Sequence, residues 1–189
     1  MKKLIMASAA ALLLSTVPSY ADTMDDIGDT IGDLTSDLQY GAGIGITNAN
    51  NLSNSFLFYG IAEKELDIDT GDIASAAQVR IGTGTNADVQ GLPAGTTGSG
   101  GIDFLISGLY KGSMEVEEFN VYGLAGLTFS SSSASVTSGG ITTNTSSTST
   151  DFTWGLGAEY DLDADLKVAA EYQKIDTTSV FGANAYLEF

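Results

Sequence analysis

From Tyr40 to Phe189 the chain is written in segments of about ten residues. In these, apolar residues alternate with polar or small ones, and clusters of Gly, Asn, Asp, Ser and Thr separate the segments. A period of two is the signature of a strand with two unlike faces. Eight such segments are readable, approximately Gln39 to Thr47, Ser55 to Glu65, Ile73 to Thr83, Gly101 to Gly112, Phe119 to Ser130, Asp151 to Asp161, Leu166 to Ile175 and Val180 to Phe189. The first sets Tyr40, Ala42, Ile44 and Ile46 against Gln39, Gly41, Gly43, Gly45 and Thr47. The sixth sets Phe152, Trp154, Leu156, Ala158 and Tyr160 against Thr153, Gly155, Gly157 and Glu159, and the eighth sets Phe181, Ala183, Ala185, Leu187 and Phe189 against Gly182, Asn184, Tyr186 and Glu188. The second segment is ambiguous, since Leu57, Tyr59 and Ile61 share a face with Glu63.

Faces that are apolar outward and small or polar inward suit a sheet wrapped on itself in lipid. After residue 21 no stretch approaches the roughly 20 consecutive apolar residues of a membrane helix, so any crossing is by strands. A closed barrel is the other spanning structure that satisfies all its backbone groups. The fold expected is therefore all-β, an eight-stranded, antiparallel, up-and-down transmembrane β-barrel over residues 39–189.

The N-terminus has the layout of a secretory signal: Lys2 and Lys3, an apolar run from Leu4 to Val17, then Pro18 and the small-residue site Ser19-Tyr20-Ala21. Residues 1–21 are expected to be removed, leaving an acidic N-terminal segment, 22–38, ahead of the barrel. In that segment Met24, Ile27, Ile31, Leu34 and Leu38 fall at helical spacing, but Gly28 and Gly32 weaken a short helix and an acidic face repels anionic head groups. A periplasmic leader that is helical only in part is the expectation.

The chain resembles the small eight-stranded outer-membrane barrels of Gram-negative bacteria, the group that includes the OmpA transmembrane domain and OmpX. The resemblance rests on Val121-Tyr122-Gly123-Leu124-Ala125-Gly126-Leu127, on Trp154 to Leu162, on Ala170-Glu171-Tyr172 and on the terminal Tyr186-Leu187-Glu188-Phe189. It implies that Phe189 carries the signal read by the barrel-insertion machinery, and that outer-membrane lipid surrounds a monomer. With both termini periplasmic, the connections after the first, third, fifth and seventh strands are external. Two of these, between the third and fourth and between the fifth and sixth strands, are long and rich in Gly, Ser and Thr.

Parity constrains the interior, because antiparallel partners put their side chains on the same side of the sheet. A three-residue loop at Leu162 to Ala164 pairs Glu159 with Lys167 and Trp154 with Tyr172. A two-residue loop at Thr177-Thr178 pairs Lys167 with Glu188. Lys167 is then expected between two glutamates, in a lumen cluster with Arg80 and Glu171. Charges on the lipid face cost roughly 2–4 kcal/mol for Lys or Arg near the midplane, so interior placement is expected whether the cluster gates the barrel or only neutralises itself. Tyr40, Trp154, Tyr160 and Tyr172 are expected as membrane-interface aromatics.

Composition removes several functions. With 7 Lys+Arg against 24 Asp+Glu there is no basic patch to neutralise nucleic-acid phosphates. There is no Cys for disulfides and no His for proton transfer, and no Ser or Asp stands in a nucleophile context, so neither an enzyme nor a cofactor is expected. The acidic runs Asp67 to Asp72 and Asp161 to Asp165 lack the spacing and terminal glutamate of a calcium loop and read as solvated turns, with no metal assigned. An eight-stranded interior is just wide enough for side chains to fill, which disfavours a general diffusion porin. Ser130 to Thr150 holds no charge and too little apolar surface to order itself fully. It is expected as a mobile external loop or a pair of strand extensions, available to host surfaces, other cells or phage. The expected function is a structural or surface-interaction role on these loops. The alternatives are a narrow pore for ions or small solutes and a soluble periplasmic barrel holding an apolar ligand.

Overall fold

The computed structural model describes residues 38–68, 71–163 and 165–187. The expectations for the signal at 1–21, for residues 22–37, and for Glu188 and Phe189 fall outside the described residues. The strands are β1 (Leu38–Asn48), β2 (Ser55–Leu66), β3 (Ala74–Gly84), β4 (Ala87–Asp88), β5 (Thr96–Val116), β6 (Phe119–Ser138), β7 (Ile141–Asp163), β8 (Leu166–Ile175) and β9 (Thr178–Leu187). Each neighbour in the series β1-β2-β3-β5-β6-β7-β8-β9 pairs antiparallel with the next, and β9 returns to β1 with Tyr40 opposite Leu187. The ring of eight strands is thus closed. The two-residue β4 lies outside it, against the far end of β5.

Alternation decides which side chains the ring encloses. On β1, Ile44 and Ile46 are exposed while Gly45 and Thr47 are buried. On β7, Phe152, Trp154 and Leu156 face out and Thr153 and Glu159 face in. The ambiguous second strand is resolved: Leu57, Tyr59, Ile61 and Glu63 are all inward, and Phe56 and Phe58 take the lipid face. An apolar residue is cheap on either face, but a midplane carboxylate is not, so Glu63 fixes the phase of the whole strand.

Bulky interior rings are accommodated by glycines on the strand beside them. Tyr59 lies across Gly43 with its hydroxyl against Gly182, Tyr186 lies over Gly41, and Tyr122 covers Gly157. A Cβ at Gly41 would stand 2.8 Å from the Tyr186 ring, and one at Gly182 2.8 Å from the Tyr59 hydroxyl. This filling leaves Tyr186 and Tyr122 at 0% and 3% exposure in the middle of the ring.

The two hairpins at the C-terminal end depart from the expected register by two residues each. Strand β7 runs on to Asp163, which pairs with Leu166, and a bulge between Asp161 and Asp163 absorbs the extra residue. The expected loop at Leu162 to Ala164 is thus displaced, because Leu162 and Asp163 belong to the strand and the bulge shifts its register. Glu159 stands opposite Ala169, not Lys167, and Tyr172 is opposite Leu156, with the Trp154 ring reaching it diagonally at 5.8 Å. The β8–β9 turn is Asp176-Thr177, with Asp176 at φ 48°, so Lys167 is opposite Tyr186 and Ser179 is opposite Lys174. A slip of two keeps every side chain on its face, so the alternation could not detect it.

Candidate functional site

The lumen holds five buried charged residues among those described: Glu63, Arg80, Lys111, Glu159 and Glu171. Arg80 grips Glu171 with both ends of its guanidinium, Nη1 to Oε1 at 2.6 Å and Nη2 to Oε2 at 2.7 Å. Lys111 donates to Glu63 Oε1 at 3.0 Å and to Glu159 Oε2 at 2.8 Å, so one ammonium bridges two carboxylates from β2 and β7. Gln78 joins the two groups: its Nε2 donates to Glu63 at 2.5 Å and its Oε1 accepts from Arg80 Nε at 2.7 Å. The Tyr122 hydroxyl donates to Glu171 Oε2 at 2.9 Å, and the Lys111 ammonium lies 4.8 Å from the centre of the Tyr122 ring. Beside this layer a chain of buried hydroxyls, Ser107, Thr128 and Thr153, links the inner faces of the neighbouring strands β5, β6 and β7 at 2.8 and 2.6 Å.

The expected cluster is thus rearranged. Arg80, Glu171 and Glu159 are inside, and Arg80 and Glu171 meet. Lys167 is only half-buried, with Asp161 and Tyr186 as its strand neighbours, so its expected pairing with Glu159 is corrected, while Glu188 lies outside the described residues. Lys111 takes the bridging position. Its signal was present in the sequence: Leu109, Tyr110 and Lys111 leave the apolar pattern undecided, but a lysine inside a membrane strand is driven inward by the cost of the lipid face. Of the aromatics, Tyr40 and Tyr160 are on the outer face towards the end that carries Leu38 and Leu187, and Trp154 and Tyr172 towards the opposite end. Among the described residues no group of three acidic side chains is placed to hold a metal ion.

At the end opposite Leu38 and Leu187, three strands continue past the ring. Strand β6 pairs with β5 as far as Thr96 opposite Ser138, and with β7 as far as Ser138 opposite Ile141. The Ser/Thr stretch is therefore a pair of strand extensions. Gly139 and Gly140, at φ 59° and 81°, make the tip, as the favoured two-residue hairpin turn requires positive φ at both positions. Cross-strand hydroxyl pairs such as Thr137 to Thr142 at 2.8 Å replace apolar packing as the side-chain contacts of this sheet. The β5 edge is partly covered by β4 and by the Val89 amide, which donates to Gly98 at 2.9 Å.

The β7 edge is different. Pairing with β8 begins only at Thr153, so from Ile141 to Asp151 no described strand lies on that side. A two-residue turn makes Ser138 and Ile141 a hydrogen-bonded pair. Antiparallel alternation then points the main-chain groups of odd-numbered β7 residues at β6 and those of even-numbered ones at the free edge. Consistent with this, the Asp176 amide donates to the carbonyl of Phe152, an even position facing β8, at 3.4 Å. Among the described residues the edge-facing N–H and C=O groups of Thr142, Asn144, Ser146, Thr148 and Thr150 thus have no strand to pair with, and the side chains from Ile141 to Thr150 are all exposed.

This combination, a closed antiparallel ring with an apolar outer face and a polar, filled interior, has a match in sequence. The profile of the outer membrane protein beta-barrel domain covers residues 7–188. The chain belongs to this outer-membrane β-barrel family. Its localisation is accordingly the outer membrane of a Gram-negative cell. No curated protein sequence matches the chain. Solved structures similar to this outer-membrane barrel include Ail, the attachment invasion locus protein of Yersinia pestis, with 15% identity, a TM-score of 0.49, and 81% of this chain and 97% of that chain covered. Neisserial surface protein A is similar at 16% identity and a TM-score of 0.43, over 80% and 96% of the two chains. The N-terminal barrel domain of Pseudomonas aeruginosa OprF is similar at 11% identity and a TM-score of 0.45, over 80% and 97%.

Proposed function

We propose that this barrel is a plugged membrane anchor whose business end is the β5–β7 sheet outside the cell, where the free β7 edge docks an extended segment of a partner. The observation that carries this is the edge from Ile141 to Asp151, beside which no described strand lies. Proteins normally blunt such an edge with charges, proline, a bulge or a short strand. Here ten consecutive residues, Ile141 to Thr150, contain no charge and no proline, and pair with β6 without a bulge. Strand addition to an exposed edge is an established mode of peptide recognition. The termini, on this reading, are periplasmic, and Tyr40 and Tyr160 mark the inner headgroup level while Trp154 and Tyr172 mark the outer one.

Deleting residues 131–138 and 141–148, which keeps Gly139-Gly140 as the turn between the paired Ser130 and Ser149, should leave membrane insertion and heat-dependent gel mobility unchanged while surface binding is lost in adhesion and phage-adsorption assays on whole cells. Unaltered binding by the deleted form would remove the sheet from any such role. The plug has its own consequence. Folded protein in a planar bilayer should give no unitary currents, since the five charged side chains and three tyrosines occupy the cross-section. Steady currents that change when Glu159 is replaced by Gln would move the assignment to a narrow pore.

A further inference from the structure

We propose that the partner of the β7 edge is the same edge of a second copy held in a facing membrane, an inference that rests on the docking reading above. Specificity in strand addition comes from pockets for alternate side chains. Along its outward face the β7 extension supplies none, its exposed side chains there being hydroxyls and one amide; the cavity that Thr145, Ser147 and Ser149 border lies on the inward face, shared with Ser130, Ser132 and Leu52. What remains to select a partner is strand length and the spacing of main-chain groups, and an identical edge matches both by symmetry. A two-fold axis at Ser146 sets each Ser146 opposite its counterpart. It also sets Asn144 opposite Thr148 of the second copy and Thr142 opposite Thr150, so the five edge-facing residues all exchange bonds. Two bonds at each hydrogen-bonded pair give on the order of ten in the isologous contact.

Charge agrees. The whole chain carries a formal net charge of −17, so most of its surface repels a second copy, yet Ile141 to Thr150 has no charged side chain. Like charges placed directly opposite across a strand pair are destabilising, and here there are none.

Direction then fixes where the second copy sits. In every copy β7 runs from the outer tip towards the membrane, so two copies side by side in one bilayer offer parallel edges. Parallel strands related by a two-fold along their own axis cannot exchange bonds symmetrically, because the slanted bonds join a residue of one strand to the flanking residues of the other. Antiparallel pairing of β7 with itself requires the two membrane normals to oppose one another. The contact is therefore one between two cells or two vesicles.

The test is clustering of uncharged phosphatidylcholine vesicles carrying the refolded protein, read by light scattering and by co-capture of two dye-labelled populations. Wild type should cluster them. Ser146→Pro and Thr148→Pro remove edge-facing N–H groups without touching the β6 ladder, as proline is tolerated on an edge strand. Both should return scattering to that of empty vesicles, with the gel shift showing a folded barrel. Ser146→Lys with Thr148→Lys, which keeps every backbone group, should do the same by like-charge repulsion. Dispersed wild-type vesicles, clustering that survives the substitutions, or cross-linked pairs confined to one vesicle would each overturn self-pairing. In those cases the docking reading is judged separately, by whether shortening the β6–β7 hairpin abolishes surface binding on whole cells.

Discussion

Replacing Arg80 by Met should cost about 3–5 kcal/mol of barrel stability, and replacing Glu171 by Leu a similar amount, measured as urea-unfolding midpoints in detergent micelles. Each leaves its partner as a buried charge without its counter-charge. The double substitution should recover most of that loss, because a buried ion pair exchanged for apolar side chains of similar volume is often neutral or stabilising. The recovery will be incomplete by what Gln78 and Tyr122 lose: Gln78 Oε1 and the Tyr122 hydroxyl both spend hydrogen bonds on this pair. Two additive losses would show that Arg80 and Glu171 contribute separately, and the layered account of the lumen would fail with them.

The second large effect is steric. A Cβ on Gly126 would run into the Gly108 carbonyl oxygen and stand 2.9 Å from the Leu109 Cα. These are backbone atoms of the paired strand β5, held by the ladder on both sides, so no rotamer change can relieve the contact. Gly126→Ala should therefore destabilise at the upper end of the roughly 1–3 kcal/mol expected of overpacking. Gly60→Ala is the control. Gly60 faces outward with nothing within 4 Å of the added atom, and its exchange should stay within about 0.5 kcal/mol. Equal midpoints for the two variants would mean that the β5–β6 approach is looser than described.

How much of this was legible in the sequence depended on what kind of information each residue carries. The ring, its strand count and the faces of β1, β7 and β9 followed from alternation, because an apolar outer face and a glycine-rich inner one leave the phase of those strands unambiguous. Strand β2 did not yield, since Leu57, Tyr59 and Ile61 fit either face and only Glu63 breaks the tie. The inward position of Arg80 was readable for the same reason, as a charge flanked by Val79 and Ile81. Lys111 was overlooked because its strand is apolar on both sides. The pairing of Lys167 with Glu159 failed for a different cause: registers two residues apart are identical in pattern, and the bulge at Asp161 to Asp163 that selects between them leaves no trace in hydropathy. The Ser/Thr stretch could be read as loop or as strand, because hydroxyl side chains on both faces erase the period of two. The uncovered β7 edge needed the end of β8 to be known.

One property of β7 bears on mechanics. It is a single strand of 23 residues running from the Gly139-Gly140 tip to the far end of the ring, about 75 Å of extended chain against an apolar band some 25 Å tall. Tension applied at the tip is carried down β6 and β7 together along their axes, and the cross-strand bonds that tie this hairpin to β5 and β8 are strained together in shear instead of being peeled one by one. A tether built this way resists a steady pull far better than a hairpin on a flexible stalk, and the membrane-embedded ring is its footing.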